Sequence, residues 1–327
     1  VVSGLHFYSE NWTTADRSLD IRGTASYQTF EDLYIEQTAG DIVQGANVNT
    51  IVFRRSIWIH NEAHDGQMYM ADASNVLLEE NIFAEPYDDS FTDRSRFGRH
   101  LYFAHGSSNG TTARGNIFFA SDREGADFRA GGNIYGNLVV QSYLRIGDVG
   151  TTTRYVCSAN VYQNVLSEGS PRTGTATIIL ILANNGSNIY DNIITDSTNA
   201  TSNVIGISVI GNYSSTPPLP IAKNLNIHDN VVYGWAASGG TGPGIRVDSS
   251  LTDVSNISIH DNDLQMVTGH GNGAVLWYPT DLMSYATFTG NKYYSTESGD
   301  DWFSQGDYND WVSASGETGL STSKASY

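Results

Sequence analysis

Apolar residues in this chain fall into short runs broken by Gly, Asn, Asp and Ser, as in Val76-Leu77-Leu78, Asn81-Ile82-Phe83-Ala84 and Leu101-Tyr102-Phe103-Ala104. No stretch keeps apolar positions at helical spacing for the roughly ten residues a helix needs. Short β-branched and aromatic runs bounded by turn-formers predict strands throughout. An asparagine recurs beside these runs at Asn81, Asn116, Asn137, Asn164, Asn192, Asn230, Asn262 and Asn291, with gaps of 35, 21, 27, 28, 38, 32 and 29 residues. A repeat of that length implies one supersecondary unit stacked on copies of itself. Adjacent runs lack the two-residue Asn-Gly connections of hairpins, and the period is too short for four-stranded propeller blades. The pattern therefore predicts an all-β chain, a right-handed parallel β-solenoid. The asparagines sit at its turns, where Asn tolerates left-handed backbone, and stack into an amide ladder.

On these repeats the chain resembles the right-handed parallel β-helix superfamily, which includes pectate lyases, alginate lyases, polygalacturonases and many phage tailspikes. The resemblance implies a single domain. Residues 1–24 would form an N-terminal strand or cap region, 25–295 the β-helix, and 296–327 a C-terminal cap and tail. It also implies a secreted, carbohydrate-active enzyme, although one fold hosts many chemistries.

Composition narrows the setting. The 327 residues carry 35 acidic and 17 basic side chains, a net charge of −18. Only Lys223, Lys292 and Lys324 are lysines. That balance argues against nucleic acid, which needs a basic footprint, and suits a protein working in salt. The single cysteine, Cys157, excludes an intrachain disulfide and a Cys-rich metal site. No apolar run is long enough to span a membrane as a helix. The first residues, Val1 to Phe7, are already strand-like and lack a starting Met, which fits a trimmed, exported form. A monomer is the expected state.

Function must come from outward side chains on neighbouring coils. Aligning Gln67-Met68-Tyr69-Met70, His100-Leu101-Tyr102-Phe103, Asp127-Phe128-Arg129-Ala130 and Tyr143-Leu144-Arg145-Ile146 puts Met68, Leu101, Phe128 and Leu144 on the core face. The outer face then carries two columns, Gln67, His100, Asp127, Tyr143 and Tyr69, Tyr102, Arg129, Arg145. They crowd a patch about 15 Å tall at the usual strand spacing. Arg246 and Asp248 in Ile245-Arg246-Val247-Asp248 would extend the groove. Outward strand positions also carry polar residues for solubility alone, so a plain surface is the competing reading.

Two segments would wall this patch. Ala84 to Gly98 is dense in charge (Asp88, Asp89, Asp93, Arg94, Arg96), as a solvated loop, a substrate-gripping wall or a Ca²⁺ site built from hard oxygen ligands. His60-Asn61-Glu62-Ala63-His64 places two histidines four apart, but in turn-like sequence that suits local turn chemistry better than zinc. The patch suits β-elimination of an anionic, uronate-containing polysaccharide. His100 would act as base, Tyr102 as acid, and Arg129 with Arg145 would clamp the carboxylate. The resemblance to β-helix lyases, which use a lysine or arginine base often beside calcium, would instead make Arg129 the base. Hydrolysis of a sulfated or acidic glycan needs two carboxyls, which Asp127 with Asp122, Glu124 or Asp148 would supply, with Arg129 and Arg145 then holding a sulfate. The polygalacturonase motifs are incomplete here: Asp88-Asp89 and Gly269-His270-Gly271 are present without the other elements. Glycan binding without turnover is the third reading.

Overall fold

The computed structural model describes residues 1–8, 19–22, 26–36, 43–59, 66–86, 99–104, 110–121, 124–147, 157–168, 177–181, 184–195, 205–210, 221–235, 243–266, 275–295 and 302–322. These form a right-handed parallel β-helix of three long sheets. Successive strands along the chain visit the first, second and third sheet in turn, and every strand pairs in parallel with its counterparts one coil away. Val2–Ser3, His6–Tyr8 and Leu19–Arg22 each occupy one place in a sheet, beside Ser26–Glu31, Tyr34–Glu36 and Val43–Ala46. Among the described residues no helix is long and apolar enough to cross a membrane.

The core follows from alternation within strands. In Ser74–Glu79, Val76 and Leu78 point inward and are buried, while Leu77 and Glu79 are partly exposed. Like residues stack on like in successive coils. Trp58, Phe83 and Phe118 form one interior pile, with centroids 5.7 and 5.4 Å apart and planes within 14°. Phe103 and Phe128 form another, at 5.6 Å. Such offset stacks add packing energy beyond the apolar area they bury.

All eight repeated asparagines are buried and stacked. Asn137 shows the bonding. Its Nδ2 donates to Asn164 Oδ1 (2.9 Å) and to the Ala113 carbonyl one coil earlier (3.0 Å), while its backbone N–H donates to the same Asn164 oxygen (3.1 Å). The scheme repeats from Asn81 to Asn262. The left-handed backbone, however, belongs to the residue before each asparagine. Glu80, Gln163, Asp191, Asp229 and Asp261 have φ of 53–56°, and Gly115, Gly136 and Gly290 lie in the same region. The turn between the first and second sheets therefore uses one residue for the bend and the next, an inward Asn, to satisfy the backbone groups that the bend takes out of the ladder.

The ladder ends on a carboxylate. Asn291 donates its backbone N–H and Nδ2 to Glu317 Oε1 (3.2 and 2.8 Å). Tyr293 Oη and Trp311 Nε1 donate to Glu317 Oε2 (2.9 and 2.7 Å). Glu317 follows the helix Tyr308–Ser315, which starts in an Asp307/Asp310 capping box and stops at left-handed Gly316. Trp311 and Phe303 stack at 5.0 Å and close the end of the core.

On the solvent side of the first sheet, a single column runs Glu31, Arg54, Glu79, Arg114, Tyr135, Tyr162, Tyr190, His228, His260. Its first half alternates in charge, with Arg54 Nε 2.7 Å from Glu31 and Arg114 Nε 2.8 Å from Glu79. Its second half is a pile of rings 4.8–5.1 Å apart with planes within 8°.

Asn164→Ala should destabilise the protein by about 2–5 kcal/mol, because it strands buried donors on Asn137 and the Ile134 carbonyl, each costing roughly 1–3 kcal/mol. Asn256→Gly removes a comparable amide contact at an exposed position (Nδ2 to Asn224 Oδ1, 2.8 Å) whose left-handed backbone (φ 53°) Gly tolerates, and should change stability by less than about 0.5 kcal/mol. Chemical denaturation of the two variants measures the contrast. Equal effects would show that the buried ladder contributes no more than a surface one.

Candidate functional site

The patch singled out from sequence lies on the third sheet, on strands Met68–Ala71, Arg99–Ala104, Glu124–Phe128 and Leu144–Ile146. Its register differs from the expected alignment by two residues at the third strand. Leu101 pairs with Met68, but the partner of Leu101 on the next coil is Ala126, and Phe103 pairs with Phe128. The large Phe128 thus matches the large Phe103, and a small Ala126 takes the leucine position. The true columns are Tyr69, Tyr102, Asp127, Arg145 and Gln67, His100, Gly125, Tyr143. Arg129 stands two residues beyond Asp127 on the same strand side.

Tyr102 is the half-buried centre of this patch. Its ring meets Tyr69 edge-on at 5.3 Å. The guanidinium carbons of Arg99 and Arg129 lie 4.2 and 4.5 Å from the ring centroid, both close enough for cation–π attraction. One coil on, Asp127 and Arg145 are ion-paired and only 1 % and 2 % exposed. Arg129 Nε stands 3.7 Å from the same carboxylate oxygen. Burial pushes the Tyr102 phenol above its ordinary pKa; Arg129 opposes that shift, Asp127 reinforces it, and Arg99 and Arg145 oppose it more weakly. Tyr102 is therefore a phenol, protonated at neutral pH, among guanidinium groups.

Gln67, His100, Asp127, Tyr143 and Arg145 do not face solvent as expected; all five are buried. Gln67 sits at the corner between the second and third sheets, where its Nε2 donates to the carbonyls of Trp58 (3.3 Å) and Ala84 (3.0 Å). That leaves Gln67 Oε1 turned to His100 Nδ1, 3.2 Å away, so the imidazole carries its proton on Nδ1. His100 is wholly buried, its ring 5.8 Å from the core residue Phe118. Desolvation pushes its pKa down to about 3. A neutral, enclosed histidine cannot meet a sugar proton, so the geometry removes His100 from the base role expected of it. Tyr143 is buried too, with its backbone against Gly125, where a Cβ would come within 1.8 Å of the Tyr143 carbonyl.

Arg246 and Asp248 lie at the far end of the same sheet, with Arg246 Nη2 3.0 Å from Asp248 Oδ2. Two residues at this face went unnoticed in the sequence. Arg99 begins the His100 strand, and its alternate-face position hid its approach to Tyr102. Trp277 sits in a run without the recurring asparagine and pairs with Arg246. Residues 60–65, 87–98, 122–123, 148–156 and 267–274 lie outside the described residues, as does the side chain of Glu124. The proposed walls, the Asp88–Arg96 charges, the second carboxyl for hydrolysis and the Gly269-His270-Gly271 fragment all fall there. Among the described residues no cluster of His, Cys, Asp or Glu is arranged to hold a metal, Ca²⁺ included.

Removing one partner of a buried ion pair leaves the other charge stranded, at about 3–5 kcal/mol. Arg145→Met should cost that much, and Arg145→Met with Asp127→Leu should recover most of it in denaturant melts. His100 supplies a separate pH signature. Its folded pKa lies below the unfolded value, so the unfolded chain binds the extra proton first, and stability falls as pH drops from about 6.5 towards about 3. His100→Gln should flatten that part of the stability–pH curve; an unchanged curve would show that His100 does not resist protonation.

Compared with protein-family models, curated proteins and solved structures, the chain matches none.

Proposed function

We propose that the protein binds an anionic, uronate-containing polysaccharide on the outer face of its third sheet and cleaves it by β-elimination. The observation that carries this reading is Tyr102, a protonated phenol held between the guanidinium groups of Arg99 and Arg129. In the proposed step the C5–H bond breaks towards a base and its electrons form the C4=C5 double bond. The C4–O bond then breaks, and the departing oxygen takes the Tyr102 proton. A guanidinium beside the uronate carboxylate disperses the charge that builds up as C5 is deprotonated. With His100 enclosed, the base role passes to Arg129, the position that resemblance to β-helix lyases favours; it takes the C5 proton only after losing one of its own protons to solvent, which leaves Arg99 as the charged guanidinium of the cluster. Asp127 and Arg145, buried against each other, hold Arg129 and Tyr102 in place. Secretion belongs to the same reading, since a polysaccharide is met outside the cell.

A second reading has its own support. Arg145 and Asp127 are almost fully enclosed and paired with one another, which suits a rigid glycan-binding surface that leaves its ligand intact.

Turnover on uronate and sulfated polysaccharides, followed by ultraviolet absorbance of unsaturated products and by reducing ends, separates the readings. Tyr102→Phe should cut turnover by at least about a hundredfold, the scale of general acid catalysis. Arg129→Ala should lower both turnover and affinity. Reducing ends without unsaturation, with Tyr102→Phe largely active, would establish hydrolysis instead; Asp127→Asn breaks the buried pair with Arg145, so its loss of turnover counts only where its melting curve matches the parent's. Binding without either product would establish the surface-binding reading.

Charge gives an independent check. A protein of net charge −18 repels a polyanion at long range, and salt screens that repulsion over about 8–10 Å while sparing close bidentate contacts. Activity should rise from very low salt to an optimum; a steady fall with added salt would count against an anionic substrate.

A further inference from the structure

Trp277 is a large aromatic residue 46 % exposed on a strand of the third sheet. It pairs in register with Arg246, whose side chain is 39 % exposed. Asp248 fixes that arginine from one side: its Oδ2 takes the Nη2 contact, and its Oδ1 accepts the Ser250 backbone N–H at 2.8 Å. An indole that turns its surface to water leaves apolar area unburied, and a guanidinium fixed by Asp248 on one side and part-exposed on the other is preorganised for an anion. One ligand chemistry suits both: a sugar ring whose C–H face covers the indole and whose carboxylate or sulfate meets the exposed part of the guanidinium.

We infer that Trp277 and Arg246 form a second binding site for an anionic sugar residue, separate from the Tyr102 cluster. The inference rests on the reading of this sheet as a glycan-binding face. The two sites share one column, running Tyr102, Asp127, Arg145, Leu180, Ser208, Arg246, Trp277. Six strand spacings separate its ends, about 29 Å. Arg145 and Ser208 between them are buried, so the two sites are distinct stations and not one open groove. A long chain can occupy both at once, and the second contact then forms at high effective concentration. A short oligomer can occupy only one. The second site thus makes the protein selective for polymer over fragment, and it keeps a partly degraded chain attached.

Binding of sized oligouronates and sulfated oligosaccharides, from tetrasaccharides to chains of about twelve residues, tests this by calorimetry at one ionic strength. The parent should bind the long chains at least about tenfold more tightly than the short ones, the lower range for linked sites. Trp277→Ala and Arg246→Ala should each remove most of that advantage, with melting temperatures near the parent's. Tyr285→Ala, an exposed aromatic off the column, should keep it. A folded Trp277→Ala protein with the parent's long-to-short ratio would overturn the second site and leave the Tyr102 reading standing. Loss of long-chain binding in Trp277→Ala but not in Arg129→Ala would sustain the second site and overturn the Tyr102 reading. If no glycan binds the parent, both fall.

Discussion

Every coil of this protein has to turn a corner with inward-facing backbone, and buried backbone groups must find partners. The asparagine at each first corner meets that requirement. Its carboxamide offers two donors and one acceptor, and each is used within the stack. No apolar residue can do this, and a serine does it only in part. Ser56 occupies the equivalent place one coil before Asn81, and its Oγ accepts the Leu33 N–H. Because these bonds connect neighbouring coils, they also hold the coils in register. The interior piles of Trp58, Phe83 and Phe118, the outer columns and the Tyr102 cluster all inherit their alignment from that register.

The fold was legible in the sequence because the asparagine spacing is a direct imprint of this bonding. The site was only partly legible. Strand alternation told outer from inner faces correctly for Met68, Leu101 and Leu144, yet alternation has a period of two and cannot detect a slip of two residues. At Gly125-Ala126-Asp127-Phe128 the core positions hold one small and one large residue, and size suggested the wrong pairing. His100 misled for another reason. Its position has outward parity, but it is the second residue of its strand, next to a corner, where its side chain turns back against Gln67 and Phe118. Parity predicts direction along a straight strand and fails at its ends.

The outer faces differ sharply in character. The first sheet bears stacked tyrosines and histidines beside runs of amides, with rings face to face, so that each shields its neighbour and little apolar surface is left over. The third sheet bears its arginines around Tyr102 and again at Arg246. In a chain with twice as many acids as bases, Arg99, Arg129 and Arg145 stand around Asp127 and Tyr102 and make a local charge opposite to that of the whole molecule, whereas Arg54 and Arg114 on the first sheet are each paired with a glutamate. That contrast supports a binding role for the third sheet and a structural one for the first.

The asparagine ladder is also directional. Each carboxamide oxygen points to the preceding coil, and each amide reaches forward to the next, so the row needs an acceptor after its last member. Glu317 meets that need as an anion receiving bonds from Asn291, Tyr293 and Trp311. A coil is therefore a translational unit, like one cell of a crystal row: what it presents forward matches what it receives from behind. Gaps of 21 and 38 residues fit the same bonding, so chain length between corners is free to drift while the joint stays fixed. Whole coils are interchangeable modules for lengthening or shortening such a rod, whereas the carboxylate stopper is a part with no substitute elsewhere in the stack.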